Sequence, residues 1–244
     1  MTRELTVFGI VIQAVLMIMF RISPAAAADS FDNSYKVYTE LLQKNVIDAR
    51  VNYRGFIESS HEFNAFLQSL GSVTEEELEG WTREEKLAFW INAYNAFTIK
   101  AVTDNYPITR SYFCVKCYFV PSNSIIQIKG VWDDLEFGAA GRNVTIGEIE
   151  HERLRNEFNG RRIHAAIVCA SAGCPDLRNE AYTADRIYEQ LGEASERYIN
   201  NPSKGLFIDR EERRVKFSKI FKWFGEDFIA GYADDDNFKD RNAK

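Results

Sequence analysis

The sequence predicts an α+β protein: a single helix-rich domain with a small, central, mainly antiparallel sheet. Apolar side chains recur at helical spacing along most of the 244 residues, and short β-branched runs beside turn residues mark a few strands. Hydrophobic residues make up 45% and charged residues 27%, the balance of a folded chain rather than a disordered one. Five Pro and 14 Gly are too few for a collagen-like or low-complexity chain, and no Pro/Ser/Gly-rich linker divides it. The formal net charge of −6 argues against nucleic acid as a partner, because phosphate binding needs a basic face.

The first segment reads as one that is removed. Residues 8–20 are apolar except for Gln13, and Pro24 precedes Ala25-Ala26-Ala27-Ala28, an Ala-x-Ala cleavage signature. The run falls short of the roughly 20 residues that cross a bilayer. The expectation is a signal peptide over 1–28, a domain over 29–244, and a periplasmic or secreted protein with no membrane attachment after cleavage. In an oxidising compartment the four cysteines, Cys114-x-x-Cys117 and Cys169 with Cys174, read as disulfides. A zinc site built from all four fits the count but not the compartment.

Helical spacing of Tyr35, Tyr38, Leu41 and Leu42 predicts a helix over 32–45, followed by a short extended piece at 50–53. A second helix is expected over 57–70 and a short one after Thr74. The most informative element is the helix at 82–103. Thr82 and Glu85 form a capping box, and the residues beyond are apolar nearly all round, which marks a buried helix. Asn92, Asn95 and Thr98 draw a polar stripe along it. Buried amides need hydrogen bonds, so these either hold a neighbouring loop's backbone or line a polar site.

Residues 106–142 read as a long irregular loop with a short strand at 125–128; loops of this length often carry function. Thr145 and Glu148 form a second capping box, opening a helix to 158 on which Glu150 falls within the apolar arc. Residues 162–169 read as a central strand, followed by a tight turn and Cys174-Pro175 as the cap and first residue of a helix. A helix over 183–200, a hairpin of 205–208 with 214–217, and a final helix capped by Ser218 complete the fold. The charged tail from Asp234 reads as frayed.

The densest polar group is Glu150, His151, His164, Cys169, Ser171 and Cys174. A thiol beside a histidine oriented by a carboxylate is a recurring acyl-transfer arrangement. The candidate catalytic residues are Cys169, His164 and Glu150; the candidate binding residues are Asn92, Asn95, His151, Ser171 and Cys174. On a regular strand His164 and Cys169, five residues apart, would face opposite sides. Cys174 escapes that problem at the head of a helix, whose N-terminus lowers a thiol pKa. A disulfide between Cys169 and Cys174 stands ahead of either thiol as nucleophile. The pair Glu150 and His164 also reads as a simple lock between helix and strand. No H-E-x-x-H or comparable spacing points to a metal, and no cofactor is expected.

Several of these pieces resemble the DUF547 proteins, a widespread domain of unknown function, in an exported bacterial-type form. They are Val51-Asn52-Tyr53, the run from Phe89-Trp90-Ile91-Asn92-Ala93-Tyr94-Asn95-Ala96, and Ile149-Glu150-His151 with Leu154-Arg155. Arg162-Ile163-His164-Ala165-Ala166 leading to Cys169-Ala170-Ser171 and Cys174-Pro175 continues the likeness. Phe217-Ser218-Lys219-Ile220-Phe221-Lys222-Trp223-Phe224 with Asp227-Phe228 ends it. The resemblance carries no settled reaction. It implies Asp where this chain has Asn52, treats the Cys114–Cys117 loop as a local addition, and favours Cys169 over Cys174 as the functional thiol.

Three functions follow as expectations. The first is a thiol-dependent hydrolase or acyltransferase using a Cys/His/acid set. The second is a non-catalytic module recognising a peptide, glycan or protein partner, with its cysteines in structural disulfides; a small-molecule or peptide ligand suits either reading. The third is thiol–disulfide exchange at Cys114 and Cys117.

Overall fold

A helix buried on every side is the axis around which the other elements pack. In the computed structural model, which describes residues 30–111, 114–158 and 160–229, the first four helices precede it. They are α1 (Lys36–Asn45), α2 (Tyr53–Glu58), α3 (Ser60–Ser72) and α4 (Glu75–Glu79), with the strands β1 (Val46–Ile47) and β2 (Arg50–Val51) between α1 and α2. The expected signal peptide and charged tail lie outside the described residues. The axis is α5 (Arg83–Asp104). Thr82 Oγ1 accepts from Glu85 N–H and the Glu85 carboxylate accepts from Thr82 N–H, so both halves of the capping box form. Every residue of α5 from Leu87 to Ile99 is buried. The helix expected over 57–70 is broken at Ser59, giving α2 and α3 instead.

Beyond α5 the irregular loop contains 3₁₀ turns at Val115–Phe119 and Ile125–Gln127. The strand expected at 125–128 does not form. Gln127 turns inward, its amide donating to Cys117 C=O and Pro121 C=O and accepting from Ser111 N–H, and that closes the loop on itself. A hairpin that the sequence did not suggest follows, β3 (Glu136–Ala139) with β4 (Arg142–Thr145). Its two-residue turn places Ala140 and Gly141 at φ 51° and 72°. Next come α6 (Ile146–Glu148) and, without a break, a π-helix over Ile149–Glu157, a wide winding often found at functional sites.

Residues 162–169 are not a strand. A 3₁₀ helix runs over Arg161–Ala165, and the backbone after it is held by a side chain instead of a neighbouring strand. Asn95 donates to Ala166 C=O at 3.0 Å and accepts from Val168 N–H at 2.9 Å. Nor does a helix start at Pro175: the chain stays irregular until α7 (Ile187–Ile199). The hairpin β5 (Leu206–Asp209) with β6 (Arg214–Phe217), then α8 (Lys219–Trp223) and α9 (Gly225–Ile229), end the described chain. The class is α+β, and the strands among the described residues are three separate antiparallel pairs.

The main core surrounds α5 with Trp90, Phe89 and Phe97. A smaller one joins Ala165, Ala194, Tyr198 and Ile220 to Phe221, Phe224 and Phe228. It fastens the 3₁₀ helix to α7, α8 and α9. Gly205 is needed at its margin, because a Cβ there would overlap the carbonyl of Tyr198 at the end of α7.

Candidate functional site

The smaller core places a histidine. His164 is 2% exposed and stacks on Phe224, ring centroids 4.2 Å apart, with Phe228 at 5.5 Å. Its Nε2 lies 2.7 Å from Asp227 Oδ2 on α9. Arg155 of the π-helix grips the same carboxylate with two bonds, Nε to Oδ2 at 2.6 Å and Nη2 to Oδ1 at 2.9 Å. The guanidinium also lies 5.0 Å over the Phe224 ring and donates to His151 Nδ1 at 3.1 Å.

These contacts set the charges. The hydrogen bonds from Arg155 hold the Asp227 carboxyl below its ordinary value, against the opposing effect of burial. Burial is the largest influence on His164 and pushes its pKa down, although Asp227 pulls the other way. A neutral imidazole facing a carboxylate must carry its proton on the bonded nitrogen, which leaves Nδ1 as the basic atom.

Glu150 does not reach His164. Its Oε2 accepts from Tyr94 Oη at 3.1 Å, and burial, then the Glu150 charge, raises the Tyr94 hydroxyl well above its ordinary pKa. The expected Glu150–His164 lock is therefore two separate pairs, Tyr94 with Glu150 and Asp227 with His164. The 100° bearing that aimed Glu150 inward belongs to an α-helix, and the residue sits on a π-helix.

Cys169 and Cys174 are joined as a disulfide, as are Cys114 and Cys117. Cys174 is 6% exposed and Cys169 half-buried. Because 162–169 is not a strand, the alternation that would separate His164 from Cys169 does not operate. Both line one cleft of about 960 Å³, together with Tyr94, Glu150, His151, Ser171 and Cys174. Trp132, Phe207, Phe217, Trp223 and Phe224 supply aromatic wall, and Lys216 and Lys219 supply charge. Cys114 and Cys117 do not line this cleft.

Six of the eight residues singled out from the sequence thus meet in one place. Asn92 and Asn95 do not: each clamps backbone. Asn92 donates to Tyr182 C=O at 2.7 Å and accepts from Tyr182 N–H at 3.0 Å, and Asn95 binds residues 166 and 168. Their contribution is to hold the segment that carries His164 and Cys169. Sequence reasoning passed over Asp227 and Arg155 as site residues. The available signal was an acid set among Phe221, Phe224 and Phe228 at helical spacing.

Among the described residues, no group of three or more His, Cys, Asp or Glu side chains is arranged to hold a metal ion. No described helix is long and apolar enough to cross a membrane. Neither the curated proteins nor the solved structures include a match to this chain. The family model described as "Protein of unknown function, DUF547" matches residues 78–199. That match spans half of the 244 residues and takes in α5, the π-helix, His164 and both cleft cysteines, and on it the chain belongs to the DUF547 family.

Proposed function

We propose that the cleft is the reactive site of an exported, thiol-dependent hydrolase or acyltransferase, held oxidised at rest. The observation that carries the reading is that Cys169 lines the same cleft as a histidine already oriented by a carboxylate. A dithiol reductant would first convert Cys169–Cys174 to two thiols, becoming a disulfide itself. Cys169, the more exposed of the pair, would then pass its proton to His164 Nδ1 as its sulfur attacks a substrate carbonyl carbon. The imidazolium, steadied by Asp227, would return that proton to the leaving group, producing a thioester on Cys169. Water or another nucleophile would release the acyl group and regenerate the thiol. Asp227, and not Glu150, is the acid of this set. Two disulfides accord with an oxidising compartment.

The test is alkylation by iodoacetamide of protein pre-reduced with dithiothreitol, followed by peptide mapping over time. Cys169 should react about tenfold or more faster in the wild type than in His164→Ala at neutral pH, because the imidazole raises the thiolate fraction. Equal rates in the two proteins would overturn the assignment. A second reading, a binding module whose disulfides never open, draws support from the closed thiols and the aromatic wall. Under it, a Cys169→Ala, Cys174→Ala double variant retains all ligand binding and cellular phenotype.

A further inference from the structure

The C-terminal end of β6 borders the cleft. Lys216 and Phe217 line it, followed by Ser218 and the start of α8, and among the described residues β6 pairs with β5 on one side only. Register decides which groups face outward. Ser218 N–H donates to Gly205 C=O at 2.8 Å, and this pair is in register with Leu206↔Phe217. In an antiparallel ladder, hydrogen-bonded and non-hydrogen-bonded pairs alternate. Phe207↔Lys216 and Asp209↔Arg214 are therefore bonded pairs, while Val215 and Phe217 turn their N–H and C=O away from β5. Both are exposed, at 51% and 65%, and neither has a backbone partner among the described residues.

The side chains say what would fit there. Leu206, Ile208, Val215 and Phe217 share one face of the hairpin, apolar and largely exposed. The opposite face carries Phe207 with the Lys216 ammonium 5.5 Å from its ring. Neither Lys216 nor Lys219 has a carboxylate partner among the described residues, whereas Lys204 nearby is bound to Asp176. A strand added to β6 would set apolar side chains beside Val215 and Phe217 and an acidic one beside Lys216.

We infer that β6 receives an extended peptide of alternating apolar and acidic residues as a third strand, running into the cleft that holds His164 and Cys169. The peptide's role as substrate rests on the reactive-site reading above; its binding does not. Strand addition supplies affinity through the main chain and selectivity through alternate side chains.

The experiment is fluorescence anisotropy on the oxidised full-length protein with a labelled (Val-Glu)₃ peptide, its N-methylated form and a (Val-Lys)₃ peptide. Saturable binding of (Val-Glu)₃ is expected. N-methylation, or Val215→Pro in the protein, should weaken it about tenfold or more, the loss of one or two hydrogen bonds. Val215→Pro removes only an outward N–H, so the β5 pairing survives, and an unchanged melting temperature would confirm this. Lys216→Glu, an exposed change, should transfer the preference to (Val-Lys)₃. Absence of saturable binding, or binding indifferent to N-methylation and to Val215→Pro, would overturn the inference. So would self-association through β6 that the peptide cannot displace in sedimentation. Because the thiols stay closed throughout, this result stands apart from the alkylation test, which uses no peptide.

Discussion

Asn95 offers the sharpest test of how the site is held, because a neighbour on the same buried stripe serves as its control. Asn95→Ala removes two hydrogen bonds, to Ala166 C=O at 3.0 Å and from Val168 N–H at 2.9 Å. Both backbone groups lose their partner, the Ala166 carbonyl in a buried position and the Val168 N–H in a part-buried one. A stranded buried group costs about 1–3 kcal/mol. The N–H is only part-buried, so the loss comes to about 2–4 kcal/mol in total. Thr98, one turn along, has a buried Oγ1 without a hydrogen-bond partner among the described residues. Thr98→Val replaces that hydroxyl by a methyl of similar size, and should be neutral or stabilising by up to about 1 kcal/mol. Urea unfolding of the oxidised protein measures both changes, provided the slope of the transition stays constant. A loss below about 0.5 kcal/mol for Asn95→Ala, or an equal loss for both variants, would refute the clamp.

The charge state of His164 makes stability depend on pH. Its folded pKa lies below the ordinary 6.5, so as pH falls past that value the unfolded chain takes up the proton first. The stabilisation is full above 6.5 and is lost as pH falls toward the folded pKa. The decline below about pH 6.5 should flatten in His164→Gln, and an unchanged slope in denaturation midpoint would contradict the burial argument. Asp227, held low by Arg155, acts in a separate window below the ordinary carboxylate value of 3.8. Gly205→Ala should destabilise by about 1–3 kcal/mol, since the new methyl meets the Tyr198 carbonyl and the backbone is fixed on both sides. An unaltered thermal midpoint would show that the hairpin moves freely away from α7.

What sequence alone determined here lies within a few residues of itself. Thr82 and Glu85 cap α5 as read, and Ser218 caps α8. Thr145 accepts from Glu148 N–H as expected, but the Glu148 side chain turns to Arg142 and leaves that box half made. The turn between β5 and β6 falls where charged residues interrupt two apolar runs. A helix apolar on all sides had to be buried, and its asparagines had to find partners.

Only the tertiary structure decided what those partners are. The run at 162–169 has the composition of a strand, yet a strand requires another beside it, and α5 presents an amide from more than 70 residues away instead. The acid for His164 comes from 63 residues further on, and not from the nearer Glu150. Pairings at that separation depend on which surfaces the packed chain brings together. Spacing within a helix or strand carries no information about them, so the site's residues were legible one by one and its acid–base pairing was not.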